Sequence, residues 1–386
     1  MKSYYRNILL ATAAILVAAA CTKTVPEGLQ VTDMQISICA SEGLTKSSLN
    51  NGTFNPTGTK SLLDETTFAT DGNRIKVYDY VDGSSTAYID DQIGPDVSGS
   101  PLAEATDGVW PFENGPHQWT PGTHKFFGWL AKDVSSGTDL TPKSLISSGF
   151  SYADQKLTIP AITMGPTTPQ FDFMYSDIFT TEPINAPVQL NFSHLFCAVS
   201  FGIKNSGAST VTISEIKIEK LYTTKSAKVT FPTAASTGSS DANVEYIDDS
   251  QATYISMTPD ISLVSGAHSN IIYNNGWTTT SASTVDDSSS RQYFLMWPQD
   301  AEDVFSDDEI TYTGTGANMR PVYPESWKIS LTYRINNSTS TIRLNFPDNR
   351  WSAGKKYHFD IAFASEAFIY YDVVDWDKVE NTITFN

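Results

Sequence analysis

Most of the chain alternates apolar and polar residues, a pattern typical of half-buried β-strands. The segment WKISLTYRI carries its apolar side chains on one face, namely Trp327, Ile329, Leu331, Tyr333 and Ile335. TIRLNF and KKYHFDIAF repeat the pattern, and the polar joint at residues 336–340 predicts a hairpin between WKISLTYRI and TIRLNF. Helical periodicity is nearly absent after residue 20. The pattern therefore predicts an all-β protein.

The alternation changes phase at two places. In VQLNFSHLFCAVSFGI the apolar residues move from even to odd positions after His194, and in TVTISEIKIEKL they move between Ile213 and Ile216. A phase change of one residue turns every following side chain to the opposite face, so each place predicts a bulge or a bend. Bent strands of this kind fit a β-sandwich, in which one strand crosses between two sheets.

The first 20 residues read as a secretory signal, with basic Lys2 and Arg6, an apolar run and three alanines before Cys21. The run is too short for a membrane-spanning helix. The alanines and Cys21 resemble a bacterial lipoprotein box, although such boxes usually carry leucine at the position of Ala18. Lipidation of Cys21, with anchoring through its acyl chains, is the preferred interpretation. A plain signal peptide cut near Ala20 is the alternative.

Charge and cysteine content limit the function. The chain has 43 acidic and 25 basic residues among 386, a net charge of −18, and two of the basic residues lie in the signal. Such a surface repels phosphate backbones, so nucleic acid is excluded as a partner. Cys39 and Cys197 remain beside Cys21, too few for a disulfide framework, and both are expected to be inert thiols.

No catalytic or metal site can be assembled from residue spacing. The five histidines show no metal-ligand spacing, and His194 is expected to bond to the backbone at a bulge. The acidic pairs, beginning with Asp90-Asp91, fit solvated turns and lack the order of a calcium loop. Trp110 and Trp119 lie among prolines and glycines. They fit a cap on a core better than a platform for sugar stacking.

Several segments taken in order resemble the fimbrillin family, the lipoprotein-derived type V pilins of Gram-negative anaerobes. They are the lipobox cysteine and a polar leader with basic residues, followed by NRIKVYDYV, FDFMYSD, VQLNFSHLFCAVSF, WSAGKKYHFDIAF and the closing VVDWD. The similarity covers essentially the whole exported chain. It implies two β-sandwich domains of transthyretin-like topology.

The expected domain organisation follows from the pattern and the resemblance together. A signal peptide spans residues 1–20, a lipidated leader with one strand 21–60, an N-terminal β-sandwich 61–182 and a C-terminal β-sandwich 183–386. The junction falls in the proline-containing TTEPINAPV, although a boundary as late as Lys225 fits almost as well.

The resemblance also implies how subunits assemble. In such pilins a trypsin-like protease removes the leader after a basic residue, and a strand of a neighbouring subunit fills the groove that opens. Lys60 is the preferred cut site because it closes the polar leader, Lys46 is the second candidate, and Arg74 is disfavoured because it adjoins a core strand. The strand to be lost is residues 29–39. The final TITFN fits a donor strand or a last sandwich strand equally, so stalk and tip roles stay open.

We therefore expect a structural and adhesive subunit of a cell-surface fimbria, not an enzyme, exported to the outer membrane of a Gram-negative bacterium. The expected partners are other pilin subunits, a maturation protease, a host or bacterial surface ligand, and the membrane through the lipid anchor before processing. No cofactor and no metal are expected. The alternative is a carbohydrate-binding outer-membrane lipoprotein, whereas an exported hydrolase fits poorly.

Overall fold

The computed structural model describes a chain built of strands. The described residues are 35–36, 38–40, 75–93, 109–110, 112–131, 149–165, 172–186, 188–232, 237–248, 253–273, 277–279, 283, 291–300, 311–313, 320–322, 328–345, 350–363 and 367–375. These ranges contain strands, turns and irregular segments but no α-helix, which confirms the all-β prediction. In this part of the chain there is accordingly no helix of the length and apolarity that crossing a membrane requires.

The strands are numbered in chain order. They are β1 (Ile38–Ala40), β2 (Ile75–Val81), β3 (Ile89–Ile93), β4 (Val109–Trp110), β5 (His124–Ala131), β6 (Phe150–Ser151), β7 (Lys156–Thr163), β8 (Phe173–Ser176), β9 (Ile178–Thr181), β10 (Val188–Leu190), β11 (Phe192–His194), β12 (Cys197–Asn205), β13 (Val211–Leu221), β14 (Thr224–Thr230), β15 (Gly238–Ser240), β16 (Asn243–Asp248), β17 (Thr253–Met257), β18 (Ile261–Leu263), β19 (His268–Tyr273), β20 (Trp277–Thr279), β21 (Phe294–Met296), β22 (Gln299–Asp300), β23 (Thr311–Thr313), β24 (Arg320–Val322), β25 (Lys328–Ile335), β26 (Ser338–Asn345), β27 (Arg350–Trp351), β28 (Lys355–Phe363) and β29 (Ala367–Asp375).

Five sheets of three or more strands make up the described fold. A three-stranded sheet has the order β10-β1-β4, and a seven-stranded sheet has the path β11-β8-β5-β2-β3 with β9 beside β5 and β15 beside β9. A four-stranded sheet has the order β16-β14-β7-β6. A six-stranded sheet runs β20-β19-β12-β28-β29 with β21 beside β12, and a five-stranded sheet runs β17-β13-β25-β26 with β18 beside β13. β22 pairs with β27 and β23 with β24.

Three hydrophobic cores lie between these sheets. The leader core consists of Ile36, Ile75, Val77, Ile89, Ile93, Trp119, Phe126, Met174, Val188, Leu190 and Phe192. The central core includes Tyr78, Tyr80, Phe127 and Trp129 from the other face of the seven-stranded sheet, with Leu157 and Val229 from the four-stranded sheet. The C-terminal core joins Phe201 and Phe359 of the six-stranded sheet to Ile216 and Leu331 of the five-stranded sheet. The seven-stranded sheet is therefore covered on both faces.

The predicted hairpin is confirmed, with a shorter turn than expected. β25 pairs with β26 from Lys328↔Asn345 to Ile335↔Ser338, so only Asn336 and Asn337 lie between the strands. Both asparagines have positive φ, 48° and 67°, as the tight two-residue turns that match strand twist require. Residues 338–340, expected in the joint, begin β26 instead.

Around the phase change at His194, three successive strands belong to three different sheets. β10 belongs to the three-stranded sheet, β11 to the seven-stranded sheet and β12 to the six-stranded sheet. Leu195 and Phe196 lie between β11 and β12 and are buried in the central core. The predicted bend is confirmed, and it lets one short segment contribute to all three cores.

The second phase change is a β-bulge in β13. The register against β25 passes from Ile213↔Tyr333 to Glu215↔Thr332, which leaves Ser214 as the extra residue. The Ser214 hydroxyl donates to the carbonyl oxygen of Thr332 at 3.0 Å. The predicted bulge is thus confirmed, and because of this residue the apolar side chains before and after it all reach the same core.

Two expected loops and one expected turn differ from the prediction. The segment at 236–243 was expected to be a loop, but it contains β15, which pairs with β9. In the predicted loop 278–291, Ser283 forms a bridge with His268, and β20 takes in the first two residues. Asp90 and Asp91 lie inside β3 instead of in a turn. β3, β15 and β20 lie at the edges of their sheets. Edge strands are often short and rich in polar residues, so their sequences are easily mistaken for loops or turns.

Strand pairing crosses the predicted domain junction at residues 182–183. β10 and β11 join strands from the first half of the chain, β14 pairs with β7, and β15 pairs with β9. β10, β11, β14, β15 and β16, the last of which ends at Asp248, thus belong to sheets that include strands from before the junction, whereas β12 and β13 pair only with later strands. The division into two sandwiches of transthyretin-like topology, with these boundaries, stays a prediction.

Lys125 should make the stability of the fold depend on pH. Its ammonium donates to the Gln155 side chain and to the carbonyl oxygen of Phe231, and burial lowers its pKa to about 8. Between pH 8 and the ordinary lysine pKa of about 10.4, the unfolded chain binds more protons at this position, so the free energy of unfolding rises with pH. Relative to a Lys125→Met variant, the natural chain should gain up to about 3 kcal/mol over this range. Urea unfolding of both proteins at pH 7.5 and 10 measures this gain, and parallel changes in the two proteins would contradict it.

Candidate functional site

The leader segment forms the middle strand of a sheet. β1 runs parallel to β10, with Ile38 opposite Val188, and antiparallel to β4, with Ile38 opposite Trp110. β1 thus has a paired strand on both sides. The predicted leader strand at residues 29–39 is found at 38–40, with a bridge at Gln35, and residues 29–34 lie outside the described part of the chain.

The residues just before β1 are also bound to the rest of the fold. Gln35 forms an antiparallel bridge with Gln118, and the Ile36 amide donates to the carbonyl oxygen of His117 at 2.7 Å. Gln35 is exposed, whereas Ile36 is 3% exposed and packs in the leader core. The leader therefore supplies both backbone hydrogen bonds and a buried side chain.

Taking the leader out of this position would open a slot one strand wide. Paired strands lie about 4.8 Å apart, so β4 and β10 face each other across roughly 9.6 Å when β1 is removed. Each would then present an unpaired edge, and the leader core would lose the cover that Ile36 provides. We call this space the leader slot, bounded by β4, β10 and the leader core.

A hydrogen-bonded loop between β4 and β5 holds one wall of the leader slot. The buried Asp91 carboxylate accepts from the Asn114 side-chain amide at 2.6 Å and lies 2.8 Å from Nε2 of His117. These contacts fix the carbonyl group of His117 to which the leader bonds. Trp119, on the same loop, is fully buried, with its ring edge-on to His124 at 4.8 Å between centroids.

The position of Trp119 decides between its two predicted roles. Because its side chain is fully buried in the leader core, it caps the core and cannot present a flat face to a sugar ring. The sugar-platform interpretation is therefore wrong for Trp119. Trp110 pairs through its backbone with Ile38 in the three-stranded sheet, and its side chain lies outside the description.

A buried ionic pair lies next to the leader core. Nδ1 of His124 is 2.5 Å from a carboxylate oxygen of Asp79, and its Nε2 is 2.9 Å from the carbonyl oxygen of Thr120. Burial disfavours the imidazolium, but these two partners outweigh burial and raise the pKa of His124. Through these two hydrogen bonds, the buried His124 side chain links β5 to β2 and to the loop between β4 and β5.

The sequence of the chain matches a known protein family over most of its length. A family model described as fimbrillin-like matches residues 59–376, which is most of the sequence. The chain belongs to the fimbrillin-like family. Membership, which confirms the resemblance seen in the sequence, indicates a fimbrial or adhesion subunit of the bacterial cell surface that assembles with other pilin subunits.

Three of the solved structures that match the fimbrillin-like chain are the following. A candidate cell adhesion protein from Bacteroides uniformis is 13% identical, with 90% of this chain and 100% of that chain covered and a TM-score of 0.41. One from Bacteroides ovatus is 14% identical, with 90% and 99% covered and a TM-score of 0.39. The tip fimbrial protein Mfa3 from Porphyromonas gingivalis, with a C-terminal truncation, is 6% identical, with 89% and 99% covered and a TM-score of 0.39. No curated protein sequence matches the chain.

The residues predicted for export and processing lie outside the described part of the fimbrillin-like chain. They are Cys21, Lys46, Lys60 and Arg74. Lipidation of Cys21 and cleavage after Lys60 or Lys46 stay predictions. Arg74 directly precedes β2, an interior strand of the seven-stranded sheet, which agrees with the reason for disfavouring it.

The C-terminal segment of the fimbrillin-like chain is described as far as Asp375. β29 pairs with β28 from Phe363↔Ala367 to Lys355↔Asp375 and forms the outer strand of the six-stranded sheet. The TITFN segment follows it, outside the described residues. Its assignment as a donor strand or as a further sandwich strand stays open.

The histidines of the fimbrillin-like chain all lie beside carboxylates. The distances from ring nitrogen to aspartate oxygen are His117–Asp91 2.8 Å, His124–Asp79 2.5 Å, His194–Asp172 3.0 Å, His268–Asp360 2.7 Å and His358–Asp360 3.3 Å. His194 was expected to bond to the backbone, but its Nδ1 contacts the Asp172 side chain. These partners are 2 to 92 positions away in the sequence, so spacing alone gave little sign of them. One local signal was present, because His358 and Asp360 share the polar face of an otherwise apolar strand.

Proposed function

We propose that the leader is a removable strand and that this fimbrillin-like protein assembles by donor-strand exchange after the leader is cut off. The observation that carries this proposal is the position of β1 between β4 and β10, paired on both sides. An incoming strand from a second subunit can make the same backbone bonds and place an apolar side chain over the leader core.

The order of elements along the chain agrees with proteolytic release. Lys46 and Lys60 both follow β1 and precede β2, so a cut at either residue separates β1 covalently from the remaining strands. The fimbrillin-like match starts at residue 59, next to Lys60. In this proposal Cys21 carries the lipid that holds the uncut subunit on the outer membrane, and a maturation protease frees the subunit for the fimbria.

The proposal can be tested with residues 22–386 carrying a site for a specific protease after Lys60. The uncut protein should be monomeric by size-exclusion chromatography with light scattering. After cutting and removal of the leader, the protein should self-associate. A synthetic peptide of residues 29–40 should return it to the monomer, because the peptide refills the slot.

Non-specific aggregation is distinguished by the peptide. A peptide in which Ile36 is replaced by aspartate should fail to restore the monomer, whereas aggregation of unfolded chains would respond to neither peptide. A cut protein that loses its leader, stays monomeric and does not bind the natural peptide would overturn the proposal.

A further inference from the structure

Three potential metal ligands meet on the six-stranded sheet, far along the chain from the leader slot. His268 lies on β19, and His358 and Asp360 lie on β28, on either side of β12. The register places Gly202 of β12 opposite Asp360, and Ser200 opposite His358. The opposite face of β12 carries Val199, Phe201 and Ile203 into the C-terminal core. The cluster therefore lies on the polar face of a sheet whose other face is a packed core.

The ligand atoms are close to one another. Nε2 of His268 is 2.7 Å and Nε2 of His358 is 3.3 Å from the same oxygen of Asp360, and all three atoms lie within 4.8 Å of one another. Both histidines are buried, whereas 23% of the Asp360 side chain is exposed. The two imidazoles are thus buried, whereas the carboxylate of the cluster is open to solvent.

Gly202 creates the space in which the three atoms meet. A Cβ atom at this position would lie 2.1 Å from the Asp360 oxygen, 2.9 Å from Nε2 of His268 and 3.1 Å from Nε2 of His358. Any side chain there would push the three groups apart. Glycine weakens a strand interior and commonly marks a place where a ligand or another group approaches the backbone closely.

A second contact orients His358. Its Nδ1 lies 2.7 Å from the Ser200 hydroxyl, so a ring that donates its Nδ1 proton to Ser200 turns the lone pair of Nε2 toward Asp360. In that tautomer Nε2 is available to a metal ion bound beside the carboxylate. Histidine ligands of metals are held in this way by a hydrogen bond at the other nitrogen.

We propose that His268, His358 and Asp360 bind a divalent transition-metal ion, Zn²⁺ by ligand preference, with one coordination position open to solvent. Two imidazoles and one carboxylate form a ligand set typical of zinc, whereas Ca²⁺ and Mg²⁺ prefer oxygen ligands. Ligand atoms about 2.05 Å from a tetrahedral ion lie about 3.3 Å apart, so His358 and Asp360 already have suitable spacing. His268 and Asp360 have to separate by roughly 0.6 Å, and the two Nε2 atoms, which lie within 4.8 Å of each other, have to reach the same spacing of about 3.3 Å. The ion would link the three strands β19, β12 and β28.

The test is the metal content of the full chain after stripping with a chelator and dialysis against Zn²⁺, measured by inductively coupled plasma mass spectrometry. We expect about one Zn²⁺ per chain, no comparable retention of Mg²⁺ or Ca²⁺, and a higher Tm with Zn²⁺ present. His268→Gln and His358→Gln should each lower Zn²⁺ affinity at least about tenfold, and Gly202→Ala should do the same by filling the space.

The matched control is His117→Gln, which removes a partly exposed histidine that also pairs with an aspartate. It should bind Zn²⁺ like the natural chain. Circular dichroism identifies any variant that has lost its fold. If Gly202→Ala does not fold, the His268→Gln and His358→Gln variants still provide the test. Absence of bound Zn²⁺ would overturn the proposal, as would equal binding by the folded His268→Gln and His358→Gln proteins.

Discussion

Replacing Ile36 by aspartate should weaken the binding of the cut leader to the rest of the protein at least about a hundredfold. Of the two leader side chains that the structure describes, that of Ile36 enters the leader core, where it is 3% exposed. Loss of a buried isoleucine costs about 2–5 kcal/mol, and an unpaired buried carboxylate adds to this loss. A hundredfold change in affinity needs only about 2.7 kcal/mol.

The measurement is leader retention after cleavage at a specific site following Lys60, determined by native mass spectrometry over a range of protein concentrations. Gln35→Asp is the matched control, because it adds the same charge one residue earlier, on an exposed side chain. The control should retain the leader like the natural chain. Equal retention by the Ile36→Asp protein would show that the leader core does not hold the leader.

Deleting Ser214 should prevent the C-terminal core from forming. Without the bulge residue, either Ile216 and Ile218 or Val211 and Ile213 turn to the solvent face. All four are buried, and exposing two such side chains removes at least about 3–6 kcal/mol, with polar residues forced inward in addition. The total stability of a domain is about 5–15 kcal/mol, so this loss, increased by the buried polar residues, removes most of the stability of a domain near the lower end of that range.

The Ser214→Ala variant distinguishes the contribution of the extra residue to stability from the contribution of its hydrogen bond. This variant keeps the bulge and loses only the bond to Thr332, so the free energy of unfolding should fall by about 1 kcal/mol. Urea unfolding followed by tryptophan fluorescence compares the natural chain with both variants. A deletion variant as stable as Ser214→Ala would contradict the assigned register.

Local sequence pattern predicted the features that depend on neighbouring residues. The alternation in KKYHFDIAF correctly assigned Tyr357 and Phe359 to a core, and the two phase changes correctly located a sheet crossing and a bulge. These predictions succeed because each strand has only two faces, so a run of apolar residues with period two fixes which face is buried.

Long-range pairing could not be predicted in the same way. The leader strand lies beside Val188, 150 positions after Ile38, and nothing in either segment specifies the other. His268 and Asp360 meet only because β19 and β28 flank β12, and Asp172 reaches His194 only because β8 pairs with β11. The arrangement of whole sheets determines such partners. The alternation of apolar and polar residues within one strand carries no information about that arrangement.

The most direct test of the removable-strand account is to lock the leader in place. β1 and β4 place Cys39 opposite Val109, at a Cα separation of about 4.5–5.5 Å that suits a disulfide. Residues 22–386 with Val109→Cys and a specific protease site after Lys60 would be oxidised, cut and followed by light scattering. The oxidised protein should keep its leader and stay monomeric, and a reductant should start leader release and self-association. Self-association of the oxidised, cut protein to the same extent as the reduced one would contradict the account.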